Sequence, residues 1–88
     1  MMNDADDAAL YAAMSSDDHQ ALATLYDRHS RFLFKLAVHL TDSRALAEDI
    51  LHDVFVDVMR RARRGEPCPH HVMRWLVVRV YERAGPKR

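Results

Sequence analysis

Cys68, His70 and His71 stand within four residues of one another, and thiolate plus imidazole is the donor chemistry of a zinc site. Such a site needs about four ligands at compatible spacing. The other histidines, His19, His29, His39 and His52, fall on different faces of helical segments, so no complete donor set is expected. Cys68 as a nucleophile would need an oriented base, which no spacing in the chain supplies. The carboxylates form no general acid and base pairing, and two glycines are too few for a phosphate-cradling loop. The chain reads as neither an enzyme nor a cofactor carrier.

What remains is the chemistry of charge. Up to Asp57 the chain carries eleven carboxylates against the four cations Arg28, Arg31, Lys35 and Arg44, a net −7; from residue 58 onward nine cations face only Glu66 and Glu82, a net +7. A basic third on an otherwise acidic domain is the electrostatic footprint of polyanion contact, because each neutralised phosphate releases condensed counterions. Arg60, Arg61, Arg63 and Arg64 are spaced to track phosphates, with Arg74, Arg79 and Arg83 following. Single-stranded nucleic acid also needs aromatic faces for its bases, and Trp75 and Tyr81 are the aromatics of that third.

The elements that must position these groups are helices. Glycine and proline are sparse and no stretch alternates apolar and polar residues for long, so an all-α bundle of three or four helices is expected. A short acidic helix or arm occupies residues 1–15, and a helical domain residues 16–88. Ser15 or Ser16 is the expected cap of the second helix, with Asp17 and Asp18 at its positive end. That helix gathers Leu22, Leu25, Tyr26, His29, Leu33, Leu36, Ala37 and Leu40 on one face. Thr41-Asp42-Ser43 opens a third helix and Gly65 closes it; Pro67 and Pro69 then interrupt, and a fourth runs from about His70 to Ala84.

At 100° per residue the third helix places Leu46, Ala47, Ile50, Leu51, Val54, Phe55, Val58 and Ala62 on a core side. Its opposite side carries Glu48, Asp49, His52, Asp53, Val56, Arg60 and Arg63. Acids early and arginines late suit the helix dipole. A valine amid the acids suits a protein partner better than water. The fourth helix offers no single apolar face, since Val72, Trp75, Val77, Val78 and Tyr81 surround it.

The segments Leu25-Tyr26-Asp27-Arg28-His29, Leu36-Ala37, Leu40-Thr41-Asp42, Ala47-Glu48-Asp49-Ile50-Leu51-His52-Asp53-Val54-Phe55 and Trp75-Leu76 together resemble the region-two domain of bacterial sigma factors of the extracytoplasmic-function group. The resemblance implies a domain for transcription initiation; the single cysteine, Cys68, the lack of an apolar run of membrane-spanning length and the acidic opening MMNDADDAA make a cytoplasmic location the expectation. Asp49, His52, Asp53 and Val56 would face the clamp coiled coil of the RNA polymerase largest subunit. The arginine-rich end, with Arg60, Arg61, Arg63, Arg64, Arg74, Trp75, Arg79 and Arg83, would hold the melted non-template strand of the minus-ten promoter element. His52 stands where the family usually has glutamine, Arg79 where it has an apolar residue, and Glu82 where it has asparagine.

Family members normally continue into a second helical domain, which the residues after Trp75 are too few to supply. The chain is therefore expected to be either a fragment or a stand-alone domain. Two other functions stay open on the residues alone. One is a sigma-like module that binds an anti-sigma factor or the polymerase without reading promoters. The other is an unrelated self-association domain using Val56, Phe34 and Val38.

Overall fold

The computed structural model describes residues 4–16 and 18–85. The expected contribution of Asp17 to a helix start, the closing Pro86, and the cations Lys87 and Arg88 lie outside them. Four helices form the bundle: α1 (Asp4–Ser15), α2 (His19–Thr41), α3 (Arg44–Arg63) and α4 (Val72–Ala84). At 23 residues α2 is the longest, about 35 Å at 1.5 Å per residue. It packs against all three others, most extensively against α3.

Capping chemistry sets the helix starts. Asp18, not Ser15 or Ser16, caps α2: its carboxylate accepts from the backbone N–H groups of Gln20 (3.0 Å) and Ala21 (3.3 Å). Ser15 is instead the last residue of α1, its hydroxyl donating to the carbonyl of Ala12 at 2.6 Å, and the Asp18 carboxylate also complements the dipole of α2. Between α2 and α3, Asp42 takes the left-handed conformation (φ 57°) and donates its N–H to Val38 at 2.7 Å, while Ser43 Oγ accepts from Leu46 N–H at 3.1 Å. Gly65, at φ 77°, turns the chain out of α3, a conformation that costs glycine least. The loop that follows delays α4 to Val72, with His71 as an N-cap that makes no side-chain capping bond.

One core runs through the bundle. From α3 it takes Ala47, Ile50, Leu51, Val54, Phe55, Val58 and Ala62, the stripe expected from spacing with one exception: Leu46 is half exposed. Leu46 lies in the first turn of α3, beside the fully buried Ala47. Fully buried Ala37, Ala47 and Ala62 keep side-chain volume small at the helix contacts, and Leu25, Leu33 and Leu76 fill what remains, each burial contributing about 1.5–3 kcal/mol. Tyr26, expected inside, is 40% exposed. Phe34 and Val38 are half-buried against the core; among the described residues the exposed large apolar side chains are instead Tyr26, Phe32, Leu46, Val78 and Tyr81. In α4 a narrow stripe of Val72, Leu76 and Val80, each four apart, is buried, so the helix does have one core face that its surplus valines obscure in a wheel.

α1 is part of this core through Tyr11 and Met14. Tyr11 donates its hydroxyl hydrogen bond to the backbone carbonyl of Glu66 at 2.8 Å, joining residues 55 apart. Burial, only partly offset by the nearby Arg61 guanidinium, holds the Tyr11 phenol above its ordinary pKa of 10.0. A raised folded value means that the neutral phenol is favoured by the fold. Its contribution is complete below the unfolded pKa of about 10 and disappears as pH rises through the folded value. Tyr11→Phe is therefore expected to lose about 0.5–1.5 kcal/mol at pH 8. The gap to wild type should narrow above pH 10, as measured by urea unfolding at both pH values.

A second tie binds α1 to α2. Asp7 and His29, 3% and 6% exposed, meet through Asp7 Oδ2 and His29 Nε2 at 2.9 Å. Arg28 Nε lies 3.5 Å from Asp7 Oδ1, an ionic contact without hydrogen-bond geometry, and Arg28 also reaches Asp6 at 3.6 Å. His29 sits on the apolar face of α2, where the buried carboxylate gives its ring a polar partner.

Candidate functional site

Two charged surfaces share α3. The first is its outer strip. Asp49, His52 and Asp53 are exposed, the His52 and Asp53 side chains by 78% and 51%, and His52 Nδ1 stands 3.7 Å from Asp53 Oδ1. Val56 is half-buried, not fully wet: it lines an apolar groove of about 430 Å³ between α2 and α3 with Leu22, Tyr26, Phe55 and Met59 among its walls. The Tyr26 and Phe55 rings pack there with centroids 4.9 Å apart, tilted by 59°. An acidic strip beside an apolar slot can orient a basic partner by charge and anchor it by burial.

The second surface surrounds Trp75. Arg60, Arg61 and Arg64 from the end of α3 converge with Arg79 and Arg83 of α4 on a pocket of about 270 Å³, which Asp57, Glu66 and Trp75 also line. Helical periodicity explains the convergence: Arg60, Arg61 and Arg64 lie within one turn, and Arg79 and Arg83 are four apart on α4. The Arg79 and Arg61 guanidinium carbons stand 4.8 Å and 5.8 Å from the Trp75 ring centroid. Trp75 is half-buried, with the Arg61 and Arg79 guanidinium groups at cation–π distance from its ring. Arg74 lies beside a separate, shallower pocket with His70, His71 and Val78, which Arg61 and Trp75 share; Arg63 lines neither.

Acids already occupy most of these arginines. Arg61 Nη1 and Arg64 Nε donate to the two oxygens of Glu66 at 3.0 and 2.8 Å, and Arg61 Nη2 also donates to the carbonyl of Pro67 at 3.1 Å. Arg79 Nη1 donates to Glu82 at 2.7 Å, one turn along α4. Arg83 Nη2 donates to Asp57 at 2.6 Å and Nη1 lies 3.7 Å from Asp53. The Asp57 bond raises the Arg83 pKa further above its ordinary value.

Sequence reasoning missed Asp57 and Glu66 as members of the pocket, and Leu22, Phe55 and Met59 as walls of the groove. Glu66 carried a usable signal, since it follows Arg64 by two residues immediately before a proline turn. Asp57 carried none, because its partner is 26 residues away. Cys68 Sγ points to the carbonyl of Pro69 at 3.3 Å. Among the described residues no three His, Cys, Asp or Glu side chains gather as metal ligands, and no helix is long and apolar enough to cross a membrane.

The fold is a helical bundle that carries an acidic strip and an arginine-rich pocket on its surface. The family model for sigma-70 region 2 matches residues 25–84, and the chain belongs to that family. Region 2 is a domain of transcription-initiation factors that engages RNA polymerase and promoter DNA. Comparison with curated proteins and with solved structures returned no significant match. Family membership removes the reading of the chain as an unrelated self-association domain.

Proposed function

We propose that this domain is region two of a cytoplasmic sigma factor of the extracytoplasmic-function group, and that it works by contact alone. Asp49, His52, Asp53 and Val56 grip the clamp coiled coil of the polymerase largest subunit. Arg60, Arg61, Arg63, Arg64, Arg74, Arg79 and Arg83 follow the phosphates of the melted minus-ten non-template strand, and Trp75 holds Arg61 and Arg79 in place. The observation that carries the reading is the convergence of arginines from two helices, far apart in sequence, around one aromatic ring.

The test is the affinity for a single-stranded minus-ten oligonucleotide at 50 and 200 mM salt. With four phosphates neutralised, binding weakens about 50-fold between them. Replacing Arg60 and Arg74 by glutamine lowers affinity at 50 mM and flattens the salt dependence by about two contacts. A second reading has its own support: Glu66, Glu82 and Asp57 neutralise arginines that DNA would need. On that reading the domain occupies the polymerase, or an anti-sigma factor, without reading promoters. Polymerase binding with no salt-dependent oligonucleotide binding would select it.

A further inference from the structure

The arginine pocket is concave and crowded. A single strand needs cations spaced along its length, because a sugar separates each phosphate from the next. Here the cations gather on shared partners instead. The Arg61 and Arg79 guanidinium carbons share one ring, 5.8 Å and 4.8 Å from the Trp75 centroid, and Arg61 and Arg64 share one carboxylate, Glu66 Oε1 accepting from the first at 3.0 Å and Oε2 from the second at 2.8 Å. Arg60 and Arg83 complete the cationic lining of a cavity of about 270 Å³. That is the room of about nine waters at about 30 Å³ each, below the range of pockets that enclose a drug-sized ligand but ample for a small anion.

The internal acids leave this cavity cationic. Asp57 and Glu66 line it and Glu82 holds Arg79, so three carboxylates face five guanidinium groups. Arg60 is exposed, and among the described residues no carboxylate pairs with it. Among those residues, too, the buried Nε–H groups of Arg61 and Arg79 find no acceptor, and an unfilled buried donor costs stability. Glu66 shows what kind of group suits these cations: two oxygens on one small anion, bridging neighbouring guanidinium groups by charge-assisted bonds. A carboxylate has only that pair of oxygens. Linked phosphates carry more oxygens and more charge in a small volume, and the planar fork of arginine matches phosphate as well as carboxylate.

We propose that the pocket is a receptor for a compact polyphosphate, a free anion of two or three directly linked phosphates such as inorganic pyrophosphate. One phosphate displaces the Glu66 carboxylate from between Arg61 and Arg64, and its neighbour reaches Arg79. The displacement is cheap because exposed ion pairs are individually weak. Recognition is by phosphate and not by a base, since the Trp75 ring already has two guanidinium groups at cation–π distance and a stacking base would first have to move one of them. The same arginines serve the strand in the reading above, so the two ligands compete, but pyrophosphate binding does not depend on that reading.

The test is calorimetric titration of the full chain with sodium pyrophosphate and with sodium orthophosphate, in magnesium-free buffer at a matched ionic strength of about 0.1 M. Pyrophosphate is expected to bind about tenfold or more tightly than orthophosphate, and to change the fluorescence of Trp75, the sole tryptophan. Arg64→Gln and Arg79→Gln each lose about tenfold, whereas Arg63→Gln, the same charge change outside the pocket, loses less than about twofold. Glu66→Gln removes the internal competitor and tightens binding about three- to fivefold, a gain that a folding defect does not mimic. Glu48→Gln is its control of equal charge change: Glu48 lies twelve residues before Arg60 along α3, about 18 Å, beyond the screening length of about 10 Å, and the variant changes affinity less than about 1.5-fold. Equal affinity for the two anions, or equal losses in Arg63→Gln and Arg79→Gln, would reduce the effect to diffuse counter-ion attraction and overturn the site. Displacement of a short labelled single strand by pyrophosphate separates the two ligands. A strand that binds where pyrophosphate does not overturns the polyphosphate site and leaves the strand face standing; pyrophosphate that binds where the strand does not removes the strand face alone.

Discussion

Exchanging Asp49 and Asp53 together for arginine is expected to weaken binding to the polymerase coiled-coil fragment at least a hundredfold, with far-UV circular dichroism unchanged. Two attractive contacts become two repulsive ones, and like charges facing each other across an interface cost several kcal/mol. The fold survives because both side chains face water and neither belongs to the core. Asp53 stands 3.7 Å from the Arg83 guanidinium and 3.7 Å from the His52 ring, so its exchange gives up one loose contact to an arginine inside the domain. Both positions also lie beyond the first turn of α3, where the helix dipole no longer penalises a cation strongly. Val56→Ala is a milder companion. It shortens one wall of the groove beside the strip, and a five- to tenfold loss is expected from about 1 kcal/mol of lost burial. Surface-immobilised binding measurements with the isolated coiled coil check both values. Undiminished binding by the arginine double variant would take the acidic strip out of the polymerase contact.

The legibility of α3 and the opacity of α4 have a common cause. α3 alternates a wide apolar stripe with an equally wide polar one, so its seven buried residues stand out at helical spacing. α4 has more apolar residues than its short contact can use. Val72, Leu76 and Val80 go inside while Val78 and Tyr81 remain outside, and only the direction from which α2 and α3 approach decides which. The arginines were legible as a group because charge composition needs no geometry. Their pairing was not, since Asp57 meets Arg83 only after α3 and α4 have packed. Val56 shows the same limit: the wheel placed it on the wet side, but the groove beside it depends on how far Tyr26 of α2 leans toward Phe55. Spacing along one helix finds a face, and packing between two decides whether that face is flat or grooved.

Asp7→Ala is expected to cost about 3 kcal/mol or more, because it leaves the buried His29 ring without its partner and Arg28 with only its longer contact to Asp6. That is a large share of the total for a domain of this size, about 4–13 kcal/mol at 0.05–0.15 kcal/mol per residue. Loss of this tie falls first on α1, whose twelve residues are too few to hold a helix without tertiary contacts. Exchanging both Asp7 and His29 for leucine removes the polar pair instead of orphaning half of it, and stability within about 1 kcal/mol of wild type is expected. Urea unfolding separates the two variants, and hydrogen exchange locates the opening. One route by which the effect reaches the charged surface is a chain of hydrogen bonds: Tyr11 of α1 holds the carbonyl of Glu66, and the Glu66 carboxylate in turn holds Arg61 and Arg64. Asp7→Ala should therefore raise amide exchange in α1 and at Glu66 together, while the Leu76 and Val80 amides of α4 stay protected. Equal exposure of α1 and α4 in that variant would show that the bundle opens as one unit and that α1 exerts no separate hold on the arginine pocket.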